Sequence, residues 1–380
     1  MTGVAGFAGS HLADLLISEG VDVYGLVMPG GSLENLHEIR GDPLSAERLR
    51  LVEADIVDGK SLVEIVKEIR PDQVYHLAAA SSVRRSLEDP GETLRVNVLG
   101  SRNLLDAIRR AAIRPRILLV SSAEAYGESA QLPRPLQEDD PLLPVSPYGA
   151  SKAAAESIAH RYVAVFDLDI VLVRPFPHTG PRHAPHFVIS DFARQVAEIE
   201  AGMREPVIRA GSLDVRRDIT DVRDMVRAYW LAVLHGERGS TYNVCSGTVY
   251  SLRDVVTSLG SQASVPFGVT IEPARLRSRD LMILAGSNRR FRERTGWTPR
   301  IPLTQTLTDL VAYWRARVNP PIGGNSPDLA RDRRVARVRE DPDVPRVSRV
   351  SPPSSGTPIT PGDERTGGRV PPPSRNGKAG

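Results

Sequence analysis

Short apolar runs alternate with amphipathic stretches along the first half of the chain. Val21-Asp22-Val23-Tyr24-Gly25-Leu26-Val27, Leu51-Val52-Glu53-Ala54, Gln73-Val74-Tyr75-His76-Leu77, Arg116-Ile117-Leu118-Leu119-Val120 and Asp169-Ile170-Val171-Leu172-Val173 read as strands. Their brevity and their Val, Ile and Leu content suit strands buried on both faces. Between them, the pattern predicts helices from Ser10 to Glu19, Ser61 to Ile69, Thr93 to Ala112 and Ser151 to Val165. Strands and helices in alternation predict a parallel sheet covered on both sides, a doubly wound α/β architecture. The sequence contains no internal repeat.

The pattern breaks near the C-terminus. Trp314 is the last aromatic residue, and 12 of the 31 prolines fall in the final 62 residues. Runs such as Pro352-Pro353 and Pro371-Pro372-Pro373 bury too little apolar surface to offset the entropy of ordering them. Residues 318–380 are therefore expected to form a disordered, Pro- and Arg-rich tail. That tail also distorts the charge. From Asn319 onward it holds 11 Lys/Arg against 7 Asp/Glu, so a net charge of +3 for the whole chain leaves the body at −1. A near-neutral body offers no basic face, and no nucleic-acid partner is expected.

Composition narrows the class further. With 380 residues, 41% hydrophobic and 25% charged, the chain can bury a sizeable core. No apolar run approaches the roughly 18 residues of a membrane span, and no basic segment precedes an apolar stretch at the start. The expectation is a cytoplasmic protein with no membrane partner. Cys245 is the single cysteine, which excludes an internal disulfide and a multi-cysteine zinc site. No metal site is expected.

The candidate chemistry gathers at the carboxyl ends of the predicted strands. The chain opens Gly3-Val4-Ala5-Gly6-Phe7-Ala8-Gly9 and runs into a helix. Glycines at this spacing let backbone approach a pyrophosphate, and the helix N-terminus offers free N–H groups. A Rossmann fold needs a central strand ahead of such a loop. Only Met1 and Thr2 precede Gly3, so the expectation is a first strand truncated by roughly six to eight residues. Without it, two neighbouring strands would lack a partner.

Further along, Asp55-Ile56 can flank an adenine, and Ala78-Ala79-Ala80 leave room for a cofactor at the sheet edge. Ser121-Ser122-Ala123-Glu124 follows the fourth predicted strand. Tyr148 and Lys152 lie four apart, on one helical face. A phenol near pKa 10 is a poor acid–base group, and a nearby ammonium is expected to lower that value by stabilising the phenolate. Together, Ser122, Tyr148 and Lys152 can protonate a carbonyl as a hydride arrives.

In this order the residues resemble the extended short-chain dehydrogenase/reductases that act on nucleotide sugars, the NAD-dependent epimerase/dehydratase family. The resemblance covers about residues 2–316. It rests on Gly3 to Gly9 followed by Ser10-His11-Leu12, on His76-Leu77-Ala78-Ala79, on Ser122 four residues before Tyr126-Gly127, and on Ser146-Pro147-Tyr148-Gly149-Ala150-Ser151-Lys152. It implies an NAD(P)-binding Rossmann domain over residues 1–174. It also implies a smaller C-terminal α/β substrate region over 175–317, partly returning to the Rossmann sheet, and a homodimer. By the same resemblance, Gly3, Gly6, Phe7, Gly9, Asp55, Ile56, Ala78, Ala79, Ala80, Tyr148 and Lys152 hold the cofactor. Ser122, Tyr148, Lys152 and Glu124 carry the chemistry.

Within this family the C-terminal half looks most like the GDP-4-dehydro-6-deoxy-D-mannose reductases, and next like the GDP-mannose 4,6-dehydratases. Gly6-Phe7-Ala8-Gly9, His178-Thr179-Gly180-Pro181 and Asp218-Ile219-Thr220-Asp221 stand where the dehydratases carry other residues. Ser122 replaces their usual threonine. Glu124 occupies the place of the dehydratase base but is often kept by reductases. The resemblance implies a GDP-sugar substrate contacted by Ser81, Arg217, Arg277 and Asp280; arginine suits a diphosphate through its fixed fork of donors. Pro177 departs from the family's asparagine and removes an amide near the sugar nucleotide. His178 reads as a hydrogen-bonded loop residue and Cys245 as a small buried one. No acid ends the predicted strand at Val27, which leans the cofactor toward NADP(H) with NAD(H) open. The expected activity is reduction of the 4-keto group of GDP-4-dehydro-6-deoxy-D-mannose. A 4,6-dehydratase, an epimerase and a non-catalytic binding protein are the rivals.

Overall fold

The computed structural model describes residues 1–276 and 281–319. The expected tail, apart from its first two residues, lies outside the described residues, as do Arg277 and Asp280.

The predicted alternation folds into one twisted parallel layer. β1 (Val23–Val27) pairs with β2 (Leu49–Glu53), Val23 opposite Leu49. β3 (Gln73–His76), β4 (Arg116–Val120), β5 (Asp169–Pro175) and β6 (Thr241–Val244) run side by side in that order. Thr2 bridges the two groups, parallel to Leu26 on one side and His76 on the other. Its backbone N–H donates to Tyr75 O at 2.9 Å, and Leu26 N–H donates to Met1 O at 2.8 Å. In this chain, Met1 and Thr2 therefore occupy the central position of the sheet.

Period-two alternation explains why both faces are covered. In β4 and β5, Leu118, Val171 and Val173 point to one side and Ile117, Leu119, Ile170 and Leu172 to the other, all almost fully buried. The first side packs on α1 (Phe7–Ser18) through Leu12 and Leu16. The second packs on α2 (Gly59–Ile69), α3 (Gly100–Arg110) and α4 (Pro147–Phe166) through Leu62, Leu105, Ile108 and Ala159. The single helix predicted from Thr93 to Ala112 is instead three pieces. Pro90–Leu94 and α3 are α-helical, and Arg95–Leu99 between them is a π-helical turn.

Beyond β5 the chain builds a second apolar core. α5 (Val188–Glu200), α7 (Leu252–Gly260) and α8 (Leu303–Val318) surround Phe192, Val196, Ile208, Val255, Leu259 and Leu310. Two small sheets accompany them, Val207–Ala210 with Gly268–Ile271 and Arg216–Asp218 between Val249–Ser251 and Ile283–Leu284. The same stretch of chain returns to the first layer three times. β6 extends the sheet, α6 (Val222–His235) covers its first face through Met225 and Tyr229, and Phe291 with Trp297 joins that core. No described helix is long and apolar enough to cross a membrane.

Trp297 is fully buried, and its indole N–H donates to Asp224 O at 3.0 Å. Asp224 in turn accepts from Arg300 N and Ile301 N at 2.7 and 2.8 Å, pinning the return segment to α6. Replacing Trp297 by Ala should destabilise the protein by about 3–5 kcal/mol. Chemical denaturation checks this, and a loss below about 1 kcal/mol would show that the return segment is not tied to the core.

Candidate active site

The glycine loop curls tightly under the helix that follows it. Gly3 has φ +72°, and a Cβ there would lie 2.8 Å from Ala78 N. A Cβ on Gly9 would lie 2.0 Å from Gly3 O, so α1 can start this close to the loop only with glycine at that position. Gly6 caps α1 without any side-chain hydrogen bond, and the first turn contains no acid. Its N–H groups and dipole are thus arranged for an anion rather than for a capping side chain. Asn35 donates to Ala5 O at 3.1 Å and fixes the loop's outer side. As one polar residue in a connecting segment, it carried no signal in the sequence.

The other predicted cofactor positions lie along the same edge. Asp55 follows β2, accepts from Val57 N at 2.9 Å, and has Arg95 Nη1 3.8 Å away. Ile56 is buried against the second core. Ala78, Ala79 and Ala80 follow β3. Ala78 N donates to Thr2 Oγ1 at 3.1 Å, and Ala80 N donates to Asn97 Oδ1 at 2.8 Å. Asn97, in the π-helical turn, donates in return to Ala80 O at 3.2 Å and to Ser151 Oγ at 2.8 Å. It ties the alanine segment to α4, yet was missed, because an asparagine in an amphipathic run reads as solvated. Its neighbours one turn away, Thr93, Gly100 and Ser101, are polar or small, so no apolar stripe marked the face as buried.

Ser122, Tyr148 and Lys152 come together. Ser122 follows β4, and its hydroxyl accepts from Glu124 N at 3.2 Å. α4 begins at Pro147, with Ser146 accepting from Gly149 N at 3.1 Å, which sets Tyr148 in the first turn. The Tyr148 phenol lies close enough to Ser122 for the hydroxyl to favour its ionised form. Burial pushes the Tyr148 pKa up to about 12; Ser122 pulls against that, and the charge of half-buried Glu124 adds to it. The expected lowering by Lys152 is therefore overturned. Lys152 Nζ lies 6.0 Å from the Tyr148 ring centroid and donates to Val120 O at 2.9 Å; burial, not the ammonium, dominates the shift of the phenol. Lys152 itself is lowered to about 8 by burial, against which Glu156 acts.

On the opposite side, residues 178–187 stack on the loop. Phe7 stacks with both His178 and His183, with ring centroids 5.7 and 4.2 Å apart and planes within 12° of parallel. His11 Nε2 meets Pro181 O at 2.9 Å, and Arg182 pairs with Asp14 and Glu38. His178 Nδ1 meets Phe176 O at 3.0 Å, and Pro177 keeps an acceptor role, taking a hydrogen bond from Thr220 N at 3.0 Å. Of the predicted substrate contacts, Ser81 is exposed just after Ala80. Arg217 is half-buried and donates to Leu281 O at 2.6 Å, while Arg277 and Asp280 lie outside the described residues. Cys245 is buried. Among the described residues, no cluster of His, Cys, Asp and Glu is arranged to hold a metal ion.

This arrangement can be set beside known proteins. Residues 1–310 match the family model described as GDP-mannose 4,6 dehydratase. The chain is 34% identical over 318 residues to the GDP-6-deoxy-D-mannose reductase of Pseudomonas aeruginosa, covering 84% of this chain and 97% of that one. It is also 34% identical over 316 residues to the UDP-glucose 4-epimerase of Mycolicibacterium smegmatis, covering 83% and 97%. The structure of RMD from Pseudomonas aeruginosa complexed with NADPH superposes with a TM-score of 0.71 at 31% identity, over 83% of this chain and 97% of that chain.

The buried histidines give the fold a defined acid limit. Burial lowers His11 to about 4 and His76 to about 3, from an ordinary 6.5. As pH falls below 6.5 the unfolded chain protonates these rings while the folded chain does not, so stability present above that pH is progressively lost. Each ring should cost about 1.4 kcal/mol per pH unit within its window. Thermal melts from pH 7.5 to 4.5 should show a falling Tm, with a shallower slope in His76→Gln. Parallel slopes in the two proteins would show that His76 is not held neutral.

Proposed function

We propose a reductase function for this chain, which belongs to the GDP-mannose 4,6 dehydratase family. The substrate is the 4-keto group of GDP-4-dehydro-6-deoxy-D-mannose, the reductant is NAD(P)H, and the product is a GDP-6-deoxyhexose of the GDP-rhamnose type. The observation that carries this reading is the gathering of Ser122, Tyr148 and Lys152 at the ends of β4 and α4, with Lys152 anchored on Val120 O and Tyr148 kept protonated at neutral pH. A phenol in that state is ready to give a proton to a carbonyl oxygen that gains negative charge. The sequence likeness to a GDP-6-deoxy-D-mannose reductase supports the same direction.

The loop is a fitting place for a dinucleotide. The collision that a Cβ at Gly9 would make and the uncapped start of α1 fit a pyrophosphate, and the small Ala78–Ala80 segment leaves space along the edge. A bound nicotinamide cofactor would supply hydride to the substrate C4. Ser122 holds the keto oxygen by a hydrogen bond, and Tyr148 donates its proton to that oxygen. Lys152, anchored on Val120 O, stabilises the phenolate that Tyr148 becomes. β1 ends at Val27 with no carboxylate in Met28-Pro29-Gly30-Gly31-Ser32, which supports acceptance of a 2′-phosphate and hence NADP(H).

Glu124 favours one second reading, a 4,6-dehydratase. It follows Ser122 by two residues and its charge acts on Tyr148, which puts a carboxylate, the group a dehydratase needs as base, in the neighbourhood of the reacting groups.

Loss of reduced-nicotinamide absorbance on mixing with the 4-keto sugar and NADPH or NADH tests the proposal, with identification of a 6-deoxyhexose. Conversion of GDP-mannose to the 4-keto sugar without added reductant would move the assignment to the dehydratase. Tyr148→Phe should lower kcat by about 10²–10⁴-fold and leave NAD(P)H affinity within about threefold. Near-normal turnover in that variant would remove Tyr148 from the acid role.

A further inference from the structure

Directly behind the reacting groups lies a continuous set of buried polar side chains that the proton transfer as described does not use. Glu156 stands on α4 one turn after Lys152 and two after Tyr148, and it is 2% exposed. The Ser121 hydroxyl donates to Glu156 Oε1. Arg174, on β5, meets the carboxylate with Nη2 at 2.7 Å and Nε at 3.0 and 3.1 Å. The rest of that guanidinium donates to Tyr126 OH and Glu138 O, both at 2.8 Å. Tyr126 continues to Asn243 Oδ1 at 2.7 Å, and Asn243 N donates to Glu138 Oε1 at 2.9 Å.

We propose that Glu156 is a positioning residue of the active site, the electrostatic partner of Lys152 and the anchor of the turn that carries Ser122. The inference rests on the Ser122–Tyr148–Lys152 reading above. A buried carboxylate paired with one arginine is weak evidence for stability, because desolvation offsets much of the attraction. Here the pair has a second geometric consequence. Glu156 grips Ser121, the residue before Ser122, while standing on the same helical face as Lys152 and Tyr148. One carboxylate thus registers the end of β4 against the helix that carries the acid.

The charge argument agrees with the geometry. Burial alone drives Lys152 toward its neutral form, and Glu156 is the group that opposes this. The other groups facing the ammonium do little to hold its proton. Val120 O accepts from it, His76 at the end of β3 is neutral at neutral pH, and Tyr148 is an uncharged phenol. Glu124 acts on Tyr148, and Arg174 approaches Glu156 from β5 with a charge of the wrong sign to help Lys152.

Direct observation of Lys152 by lysine ¹⁵N NMR tests the proposal without requiring turnover, with Lys152→Met identifying the resonance. The native group should titrate near 8. In Glu156→Gln it should lose its proton at least one pH unit lower, a tenfold change in acidity, while Glu156→Asp should restore most of the difference. Ser121→Ala should leave the titration in place, lower kcat about tenfold and leave the KM for NAD(P)H unchanged. Should Glu156→Gln fail to fold, Glu156→Met combined with Arg174→Met removes the pair together and permits the same titration. Identical Lys152 titration in the native protein and a folded charge-removed variant overturns the electrostatic partnership. Full turnover in Ser121→Ala overturns the anchor. Native protein that consumes no reductant refutes the reductase reading, and the titration still decides this one.

Discussion

The carboxyl edge of the sheet depends on one seam, the contact that Thr2 makes with both halves. β1 and β3 are held in one layer through the backbone of Met1 and Thr2. The Thr2 hydroxyl carries the seam on past β3. It accepts from Ala78 N at 3.1 Å and meets His76 Nδ1 at 2.8 Å. His76 Nε2 meets Ser101 Oγ at 2.8 Å, and Ser101 donates to Asn97 O at 2.6 Å. Since Ser101 spends its proton on Asn97, it must accept from Nε2–H, which leaves His76 Nδ1 to accept from Thr2. Only neutral His76 in that tautomer satisfies every member. Its strong burial and its place at the centre of this chain are two aspects of one constraint.

From that seam the order passes to α4, which carries Tyr148 and Lys152. Asn97 bonds both Ala80 and Ser151, so the cofactor edge and α4 share one buried amide. Asn97 is the buried residue of the π-helical turn at Arg95–Leu99, and such turns gather at functional positions. Glu156 makes a comparable link between α4 and the end of β4, through Ser121 and Arg174. Ser122, Tyr148 and Lys152 thus sit on elements fastened to one another at two separate points, each a buried side chain with several partners.

The sequence made the repeating elements legible, and the fastenings much less so. Runs such as Arg116–Val120 and Asp169–Val173 carry their burial in their composition, and β4 matches the predicted run while β5 continues to Pro175. Gly3, Gly9 and the Tyr148–Lys152 spacing were readable because backbone geometry demands them. The run ahead of Cys245 reads as strand-like and is β6, but its polar–apolar alternation suggests one solvated face where all four residues are buried. Asn97, Glu156 and Arg174 are polar residues in amphipathic or apolar runs, and a one-dimensional pattern assigns them to solvent. Their partners come from distant segments, as Arg174 with Tyr126 and Asn243 with Glu138 show. The pKa of Tyr148 failed for the same reason: spacing reveals the neighbouring ammonium and hides the burial that outweighs it.

That burial sets the resting protonation of Tyr148. A phenol shifted upward holds its proton at neutral pH, and the nearby Glu124 charge strengthens the hold. Such a group is a weak acid toward water and becomes useful only when negative charge develops on an oxygen in contact with it. Proton transfer then exchanges one buried anion for another, an alkoxide for a phenolate, and the balance falls to the local cation. Lys152 is barely retained in charged form by its surroundings. The exchange is therefore most favourable where Lys152 is protonated and Tyr148 is neutral, which is the state this site holds below about pH 8.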